Sequence, residues 1–443
     1  LNVKVNKGYD LKISGEATKE VADYSSDLVG YNLADFKYIK PKVLVKEGDK
    51  VKAGDVLFID KKDENVKFVS PVGGVVEEIR RGDRRVLLNV IVRREGEEKV
   101  DFPVLDAAAI AGLDENSAKQ ALSARGLWPY LKRRPFHKVA ELTDTPVAIY
   151  VNCLDSAPLA GDPNFYLEGR QEDFNLGIEI LKKLCPSIHV CTDGNTSNIF
   201  SAPGVNEHAF SGVHPRGNLS VHIDAIDPIN SVNKIVWSIR AQEVVAIGKT
   251  LASGNFDAER VVAFAGPAAE TPKYYKTTMG TSMKSLPVKG DDVRFISGSP
   301  LQGQGLSEEA FLGFYDNTIS VLAEGREKKL LGWLTPGFNS HSFTKCYATA
   351  LMPKQSYDFT TTANGEHRAI VDSEMFDKVQ PLDVHTIFLY KSLLAEDVEE
   401  AERLGLWSVA PEDFALASYM DPSKNDFAAP LDKVLTMLYK EDN

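Results

Sequence analysis

The stretch "VLVKEGDKVKAGDVLFIDKKDENVKFVSPVGGVVEEI", residues 43–79, contains an imperfect internal repeat. "KVLVKEGDKVKAGDVL" is followed by "KFVSPVGGVVEEIRRGDRRVL", and each half has short β-branched runs punctuated by turn residues. Gly48-Asp49, Gly54-Asp55 and Gly82-Asp83 predict turns, because glycine accepts positive φ and aspartate bonds nearby backbone. Val56, Phe58, Val66, Phe68, Val75 and Val76 fit short strands between those turns.

"VKEGDKVKAGDVL … SPVGGVV" resembles the barrel-sandwich fold of lipoyl and biotinyl domains. Such a carrier presents its lysine at a tight, exposed hairpin tip, where a ligase reaches it and the arm swings. Here the tip reads "DKKDENVK", around Lys61 and Lys62. Asp60-Lys61 matches two letters of the lipoyl motif but lies too close to the first half, and there is no Met-Lys-Met. Charge clusters at turns are ordinarily solvated. The expectation is a barrel-sandwich domain over residues 1–100 with no carrier lysine and no covalently bound cofactor.

The chain has 443 residues, room for about three domains of ~150 residues each with substantial cores. Its 51 basic and 63 acidic residues leave a net charge of −12. An acidic chain without a basic block is a poor match for nucleic acid. No apolar run approaches the ~20 residues of a membrane helix; "VVAFAGPAA" is short and interrupted. Leu1 is not followed by a basic-then-apolar leader, so a soluble chain is expected. Cys153, Cys185, Cys191 and Cys346 form no C-x-x-C pair and read as free thiols in a reducing compartment. His208, His214 and His222 share one stretch, but nothing resembles H-E-x-x-H, and no metal is expected.

Beyond residue 100 the pattern becomes α/β. "VLDAAAIAGLDENSAKQALSARGLW" has helical spacing, with Asp114 or Asn116 as a cap. "PVAIYVNC" is a strand entering the loop "NCLDSAPLAGDP"; "QEDFNLGIEILKKLCP" is an amphipathic helix stopped by Pro186; "SIHVCTDG" is a second buried strand. "LSVHIDAIDP" and "AQEVVAIGKTLASG" continue the alternation of strand and helix, giving a Rossmann-like domain with a parallel sheet over 101–255. Strands with Pro/Gly turns follow, in "ERVVAFAGPAAETPKYYKTTMGTSM", "VRFISGSPLQG" and "FLGFYDNTISVLAEG", as a small α+β module over 256–335. "LDVHTIFLYKSLLAEDVEEAERLGL", "APEDFALASYM" and "LDKVLTMLYKED" are amphipathic and predict a helical domain over 336–443.

No G-x-G-x-x-G follows a strand, and neither a P-loop nor G-x-S-x-G is present. "GSPLQGQG", residues 298–305, reads as a plain glycine-rich loop. The residues describe a multidomain α/β and α+β protein without a legible catalytic centre, as expected of one subunit of a larger machine.

Several segments, in order along the chain, resemble a single family: "KGYDLKISGEA", the barrel stretch, "SARGLWPYLKRRPF", "NCLDSAPLAGDP", "HPRGNLSVHIDAIDP", "RVVAFAGPA" and "GWLTPGFNSHSFT". They are similar to the NqrA family, which belongs to the Na+-translocating NADH:quinone reductases, bacterial respiratory sodium pumps. That family resembles in turn the C subunit of Rnf complexes and the FMN- and NADH-binding subunit of respiratory complex I. The resemblance implies a small β-grasp-like (SLBB) domain over 256–335. It implies a peripheral subunit on the cytoplasmic face of the inner membrane, docked on a membrane-embedded partner and contributing to binding or reduction of ubiquinone or menaquinone. The isolated chain is expected to have no activity of its own.

In the relatives a glycine-rich loop holds flavin and nucleotide phosphates, because phosphates need close backbone N–H approach. The matching place here keeps only Gly126 and carries Leu127, Trp128 and Tyr130. The relatives' cluster-binding cysteines have no counterpart in "FALASYMDPSKNDF". FMN, NADH and iron–sulfur clusters are therefore not expected on this chain. A quinone site needs donors to the carbonyl oxygens, a proton source and an apolar groove. "GLWPYLKRRPFHK" offers Trp128, Tyr130 and Phe136 as wall and Arg133, Arg134 and His137 as donors. Asn152 and Asp155 lie at a strand end, where α/β folds bind ligands. The competing readings are a covalent carrier, a purely structural docking subunit, and an electron-input subunit that binds FMN and NADH.

Overall fold

The two Lys-x-Gly-Asp turns of the barrel close in the same way. The Lys46 N–H donates to Asp49 Oδ2 and the Lys52 N–H to Asp55 Oδ2, each at 2.7 Å. Gly48 and Gly54 supply the left-handed residue, at φ of 87° and 97°. Gly82 does not: it is extended at φ −92°. The strands form two sheets. One is four-stranded, in the order Leu28–Asn32, Leu87–Arg94, Gly74–Arg81, Lys50–Val51; the other is three-stranded, in the order Pro41–Val43, Val56–Asp60, Lys67–Val69. Between them Phe58 and Phe68 stack at 4.4 Å, with Tyr31 edge-on to Phe58 at 5.8 Å. At the expected carrier tip, Asp60 Oδ1 accepts from the Lys62 N–H at 3.0 Å, and Lys62 Nζ donates to Tyr439 Oη at 3.0 Å. That contact ties the tip to the C-terminal helix Ala428–Glu441. Lys61 remains exposed.

This computed structural model describes residues 1–194, 198–306, 311–326, 332–351, 356–371 and 374–441. It sends the first residues of the chain away from the barrel in which they were expected. Asn2–Val5 pairs in parallel with Asn206–Gly212 at the edge of the α/β sheet, and Thr18–Asp23 pairs in parallel with Lys273–Thr278. Barrel pairing starts only at Leu28. Its short strands leave little surface for more, so the earlier residues complete other sheets.

The α/β sheet has seven strands, in the order Asn2–Val5, Asn206–Gly212, Ile188–Thr192, Ala148–Asn152, Val236–Arg240, Lys132–Arg134, Lys138–Val139. The first five are parallel and the last two antiparallel, so the sheet is mixed rather than wholly parallel. Strand alternation splits the core. Ile149 and Val151 join helices Gln171–Leu184 and Ala241–Ser253 on one side. Ala148 and Tyr150 join the C-terminal helices on the other. The two former helices cross at glycines: a Cβ on Gly177 would lie 2.2 Å from the Val244 carbonyl oxygen, and one on Gly248 1.8 Å from that of Asp173. "LSVHIDAI", expected as a strand, is the helix Leu219–Ile226. It is buried at Ser220, Val221, His222 and Ile223, so polar and apolar faces do not separate.

The third region is a six-stranded sheet in the order Gln304–Gly305, Val293–Ser297, Thr318–Ala323, Glu259–Ala265, Lys273–Thr278, Thr18–Asp23. The helical region begins later than expected. Among the described residues, 336–385 hold only short 3-10 turns, and the α-helices start at Thr386.

Gly126 holds the barrel against the α/β domain. Its φ is 69°, and a Cβ there would lie 2.5 Å from Val69 Cγ1. Gly126→Ala is expected to cost about 2 kcal/mol, from the left-handed backbone and the overlap together. Thermal melting checks this, and Val69→Ala should restore part of the loss.

Candidate functional site

A cavity of about 230 Å³ opens at the carboxyl ends of the parallel strands, between the α/β sheet, the third region and the C-terminal helices. Strand register builds one wall. Lys132 pairs with Ser238 and Arg134 with Val236, so Lys132 and Arg134 alternate onto one face of the strand and Arg133 onto the other. Asn152 pairs with Arg240 at the ends of neighbouring parallel strands. The helix after Arg240 brings Glu243 in its first turn. Gly217 and Asn218, ahead of helix Leu219–Ile226, close a second side. The glycine-rich loop, through Ser299 and Gln302, and the segment Tyr315–Asn317 form the third.

Six of the eight residues singled out from the sequence line this cavity: Tyr130, Arg133, Arg134, His137, Asn152 and Asp155. Trp128 and Phe136 do not. Trp128 is wholly buried against Trp237, with ring centroids 5.4 Å apart, and its Nε1 donates to the Ala140 carbonyl at 2.7 Å. Phe136 packs between Trp407 and Tyr439, at 5.8 and 5.6 Å. Both are core, and the expected aromatic wall is instead Tyr130, Tyr166 and Tyr315.

The lining groups differ in how far they are committed. Arg134 Nη1 donates to Ser220 Oγ at 2.8 Å, and Nη2 donates to Glu412 Oε1 at 2.9 Å. Arg133 Nη1 donates to Asp144 Oδ1 at 2.8 Å. Asn152 Nδ2 donates to the Gly217 carbonyl at 2.9 Å. Tyr130 Oη accepts from Arg260 Nη2 at 2.9 Å. Arg240 Nη1 donates to the Tyr315 carbonyl at 2.8 Å, and the rest of its guanidinium opens onto the cavity.

Lys132 lies 4.4 Å from the centroid of the Tyr315 ring. Burial pulls its ammonium down to about 8, with Arg240 and Arg134 adding to the fall and Glu412 opposing it. Desolvation within the cavity raises the Asp155 carboxyl above the ordinary carboxylate range, although the residue is exposed overall and Arg240 and the Ala157 N–H, which donates to its Oδ1 at 2.9 Å, pull the other way. Burial, Arg134 and Lys132 push His137 well below the usual imidazole value, so it is neutral near pH 7. Glu243 is 1% exposed, and neither carboxylate oxygen has a hydrogen-bond partner among the described residues. A buried carboxylate left so is costly unless something fills the space before it.

Lys132, Arg240, Glu243 and Tyr315 escaped the sequence reading. Lys132 sat inside the quoted stretch "PYLKRRPF", and Arg240 sits where a strand end meets a helix start, a position that could have been flagged. The loop at 298–305, read as plain, lines the cavity through Gly298, Ser299, Gln302 and Gly303. Leu127 and Trp128, which follow Gly126, are completely buried. Cys153, Cys185 and Cys191 are buried and Cys346 is exposed, all as free thiols. Among the described residues no group of three or more metal-binding side chains occurs. His208, one of the three singled out, instead pairs with His189, at 2.9 Å.

Family profiles match three parts of the chain: the NqrA N-terminal barrel-sandwich hybrid domain over residues 3–95, the NqrA second alpha/beta domain over 113–256, and the NQRA C-terminal (SLBB) domain over 261–308. Curated relatives align end to end. The A subunit of the Na(+)-translocating NADH-quinone reductase of Saccharophagus degradans is 38% identical, covering 99% of this chain and 100% of the relative. Proteins of the same description from Marinomonas sp. and Vibrio campbellii are each 37% identical, over 99% of this chain and 99% and 100% of their own lengths. A solved structure of an NAD+-reducing [NiFe]-hydrogenase overlaps 41% of each chain at a TM-score of 0.32 and 14% identity, too loose to bear on fold or function.

Proposed function

Because the chain belongs to the NqrA family of Na(+)-translocating NADH-quinone reductases, we propose that it is the peripheral NqrA subunit of such a complex and that its central cavity takes a quinone headgroup. The observation that carries the second part is the pairing of half-committed donors with a protonatable acid in one aromatic-walled cavity. Lys132 and Arg240 face the space that a quinone carbonyl would occupy, and Asp155 is held toward its protonated form. Reduction of a quinone to the hydroquinone takes two electrons and two protons. In this reading the electrons come from partner subunits, Asp155 passes one proton to the nearer carbonyl oxygen and is reprotonated from water, and water supplies the second proton to the far oxygen. A cavity of about 230 Å³ suits a headgroup, with the isoprenoid tail left outside.

The chain sits on the cytoplasmic face of the bacterial inner membrane, against a membrane-embedded partner. None of its described helices is long and apolar enough to cross a membrane. In this reading FMN, NADH and iron–sulfur clusters reside on other subunits, and the buried Leu127 and Trp128 leave no exposed glycine backbone after Gly126 to approach a phosphate.

Titration of the purified chain with short-chain ubiquinone and menaquinone analogues, followed calorimetrically, tests this. One saturable site is expected. Lys132→Met should weaken it roughly 10- to 100-fold, the usual worth of a charge-assisted hydrogen bond, whereas Asp155→Asn, which keeps a neutral donor, should weaken it less than about tenfold. Absence of saturable binding would leave the chain a purely structural, docking role. A yellow chain, or NADH oxidation by it alone, would favour the electron-input reading.

A further inference from the structure

The hairpin joining Gly74–Arg81 to Leu87–Arg94 turns in an unusual way. Two successive residues at its tip, Arg84 and Arg85, hold left-handed backbone, at φ of 53° and 61°. Turns of that kind are ordinarily built from Asn-Gly or Asp-Gly, because a side chain there is strained. Here both positions carry arginine, and both side chains are exposed. Val86 and Leu88 follow directly, 59% and 43% exposed. The turn keeps two cations and two apolar side chains in water where two small residues would fold more easily.

Beside the tip lies a groove of about 890 Å³. Leu33, Phe36 and Ile39 are among its apolar lining, and Lys40, Lys61, Arg81, Arg84 and Arg85 supply cations. Arg80 also lines it, but its charge is matched by Glu78, at 2.6 Å. Among the described residues no carboxylate lines the groove, although the chain carries 63 acidic residues against 51 basic ones. Asp83 stands on the turn itself. The groove therefore inverts the sign of the molecule's charge over one local face.

We propose that this hairpin and groove seat the chain on an anionic phospholipid bilayer. Guanidinium groups match phosphate oxygens with two parallel hydrogen bonds, and cations near an anionic leaflet add attraction residue by residue. Val86 and Leu88 enter the headgroup boundary, as exposed apolar residues beside basic ones do. A net charge of −12 repels the molecule as a whole from that surface, so approach through a cationic face such as this one is favoured. The surface is separate from the central cavity and does not depend on what that cavity binds.

Co-sedimentation of the full chain with vesicles tests the proposal. Binding is expected to phosphatidylcholine vesicles containing phosphatidylglycerol, to vanish at high salt, and to be absent from pure phosphatidylcholine. The variant Arg81→Glu/Arg84→Glu/Arg85→Glu should bind the anionic vesicles at least about tenfold more weakly. Its circular dichroism and melting should stay unchanged, because all three side chains are exposed. Val86→Ser/Leu88→Ser should weaken binding less. No binding to anionic vesicles, equal binding to neutral ones, or an unaffected triple variant would each overturn it. If wild type ignores vesicles while the triple variant fails to assemble with the other subunits, the face is an interface for an acidic protein.

Discussion

Truncating Trp128 to alanine is expected to cost about 3–5 kcal/mol of stability and to leave quinone affinity untouched in whatever fraction stays folded. The indole is wholly buried, packs at 85° to the plane of Trp237, and donates to the Ala140 carbonyl. Alanine removes the aromatic pair, strands a buried acceptor and opens a void beside the barrel core. Urea unfolding followed by circular dichroism gives the first number, and titration of the refolded chain gives the second. The pair of readouts separates packing from binding. Intact stability with lost affinity would return Trp128 to the ligand wall.

Arg134→Met is expected to cost about 3 kcal/mol, the low end of the range for breaking a buried ion pair. Arg134 is 4% exposed, and the Glu412 side chain opposite it is 32% exposed, which tempers the loss. Burial alone would raise the Glu412 carboxyl; Arg134 and Lys132 outweigh it and hold the group below its ordinary value. A depressed folded-state pKa stabilises above the unfolded value, and that contribution disappears as pH falls through the folded one. Wild type and variant should thus differ fully at pH 7 and converge only once pH has fallen below the ordinary glutamate range, through the depressed folded-state value of Glu412. Denaturation midpoints across that range check the sign. Adding Glu412→Gln should recover part of the loss at neutral pH, because it removes the orphaned charge. A gap that persists at acid pH would mean that packing, not charge, dominates.

The barrel was readable because its turns are local. Lys46 with Asp49 and Lys52 with Asp55 close within four residues, so sequence alone specifies them. Gly82-Asp83 also marked its turn, but the left-handed residues there are Arg84 and Arg85 rather than the glycine. Leu219–Ile226 misled through burial. Leu219, Val221 and Ile223 alternate with polar residues as a strand would, but the helix is enclosed on several sides, and Ser220 and His222 are buried too. At the cavity, Tyr130, Arg133, Arg134 and His137 on one stretch, and Asn152 and Asp155 at a strand end, were legible. Their partners were not, because Arg240, Glu243, Gln302, Tyr315 and Glu412 arrive from three other regions and meet only in the folded chain. Trp128 and Phe136 flank the same strand, Trp128 in the 3-10 turn Trp128–Tyr130 and Phe136 in the turn after Arg134, and both are buried away from the cavity.

The early strands bear on how the molecule can be assembled and cut. Asn2 pairs with Ala209, and Lys273 with Thr18, so two sheets stay short of an edge strand until the far partners have left the ribosome. The barrel between them needs nothing beyond Arg94 for its own pairing. During synthesis it can close first, carrying a loose leading thread that is stitched in afterwards, once at each neighbouring sheet. The three profile-matched units are consequently not separable modules. Excising the N-terminal unit from residue 1 through the barrel takes a strand from both other sheets, and any fragment that starts after it leaves two exposed edges open to foreign strands.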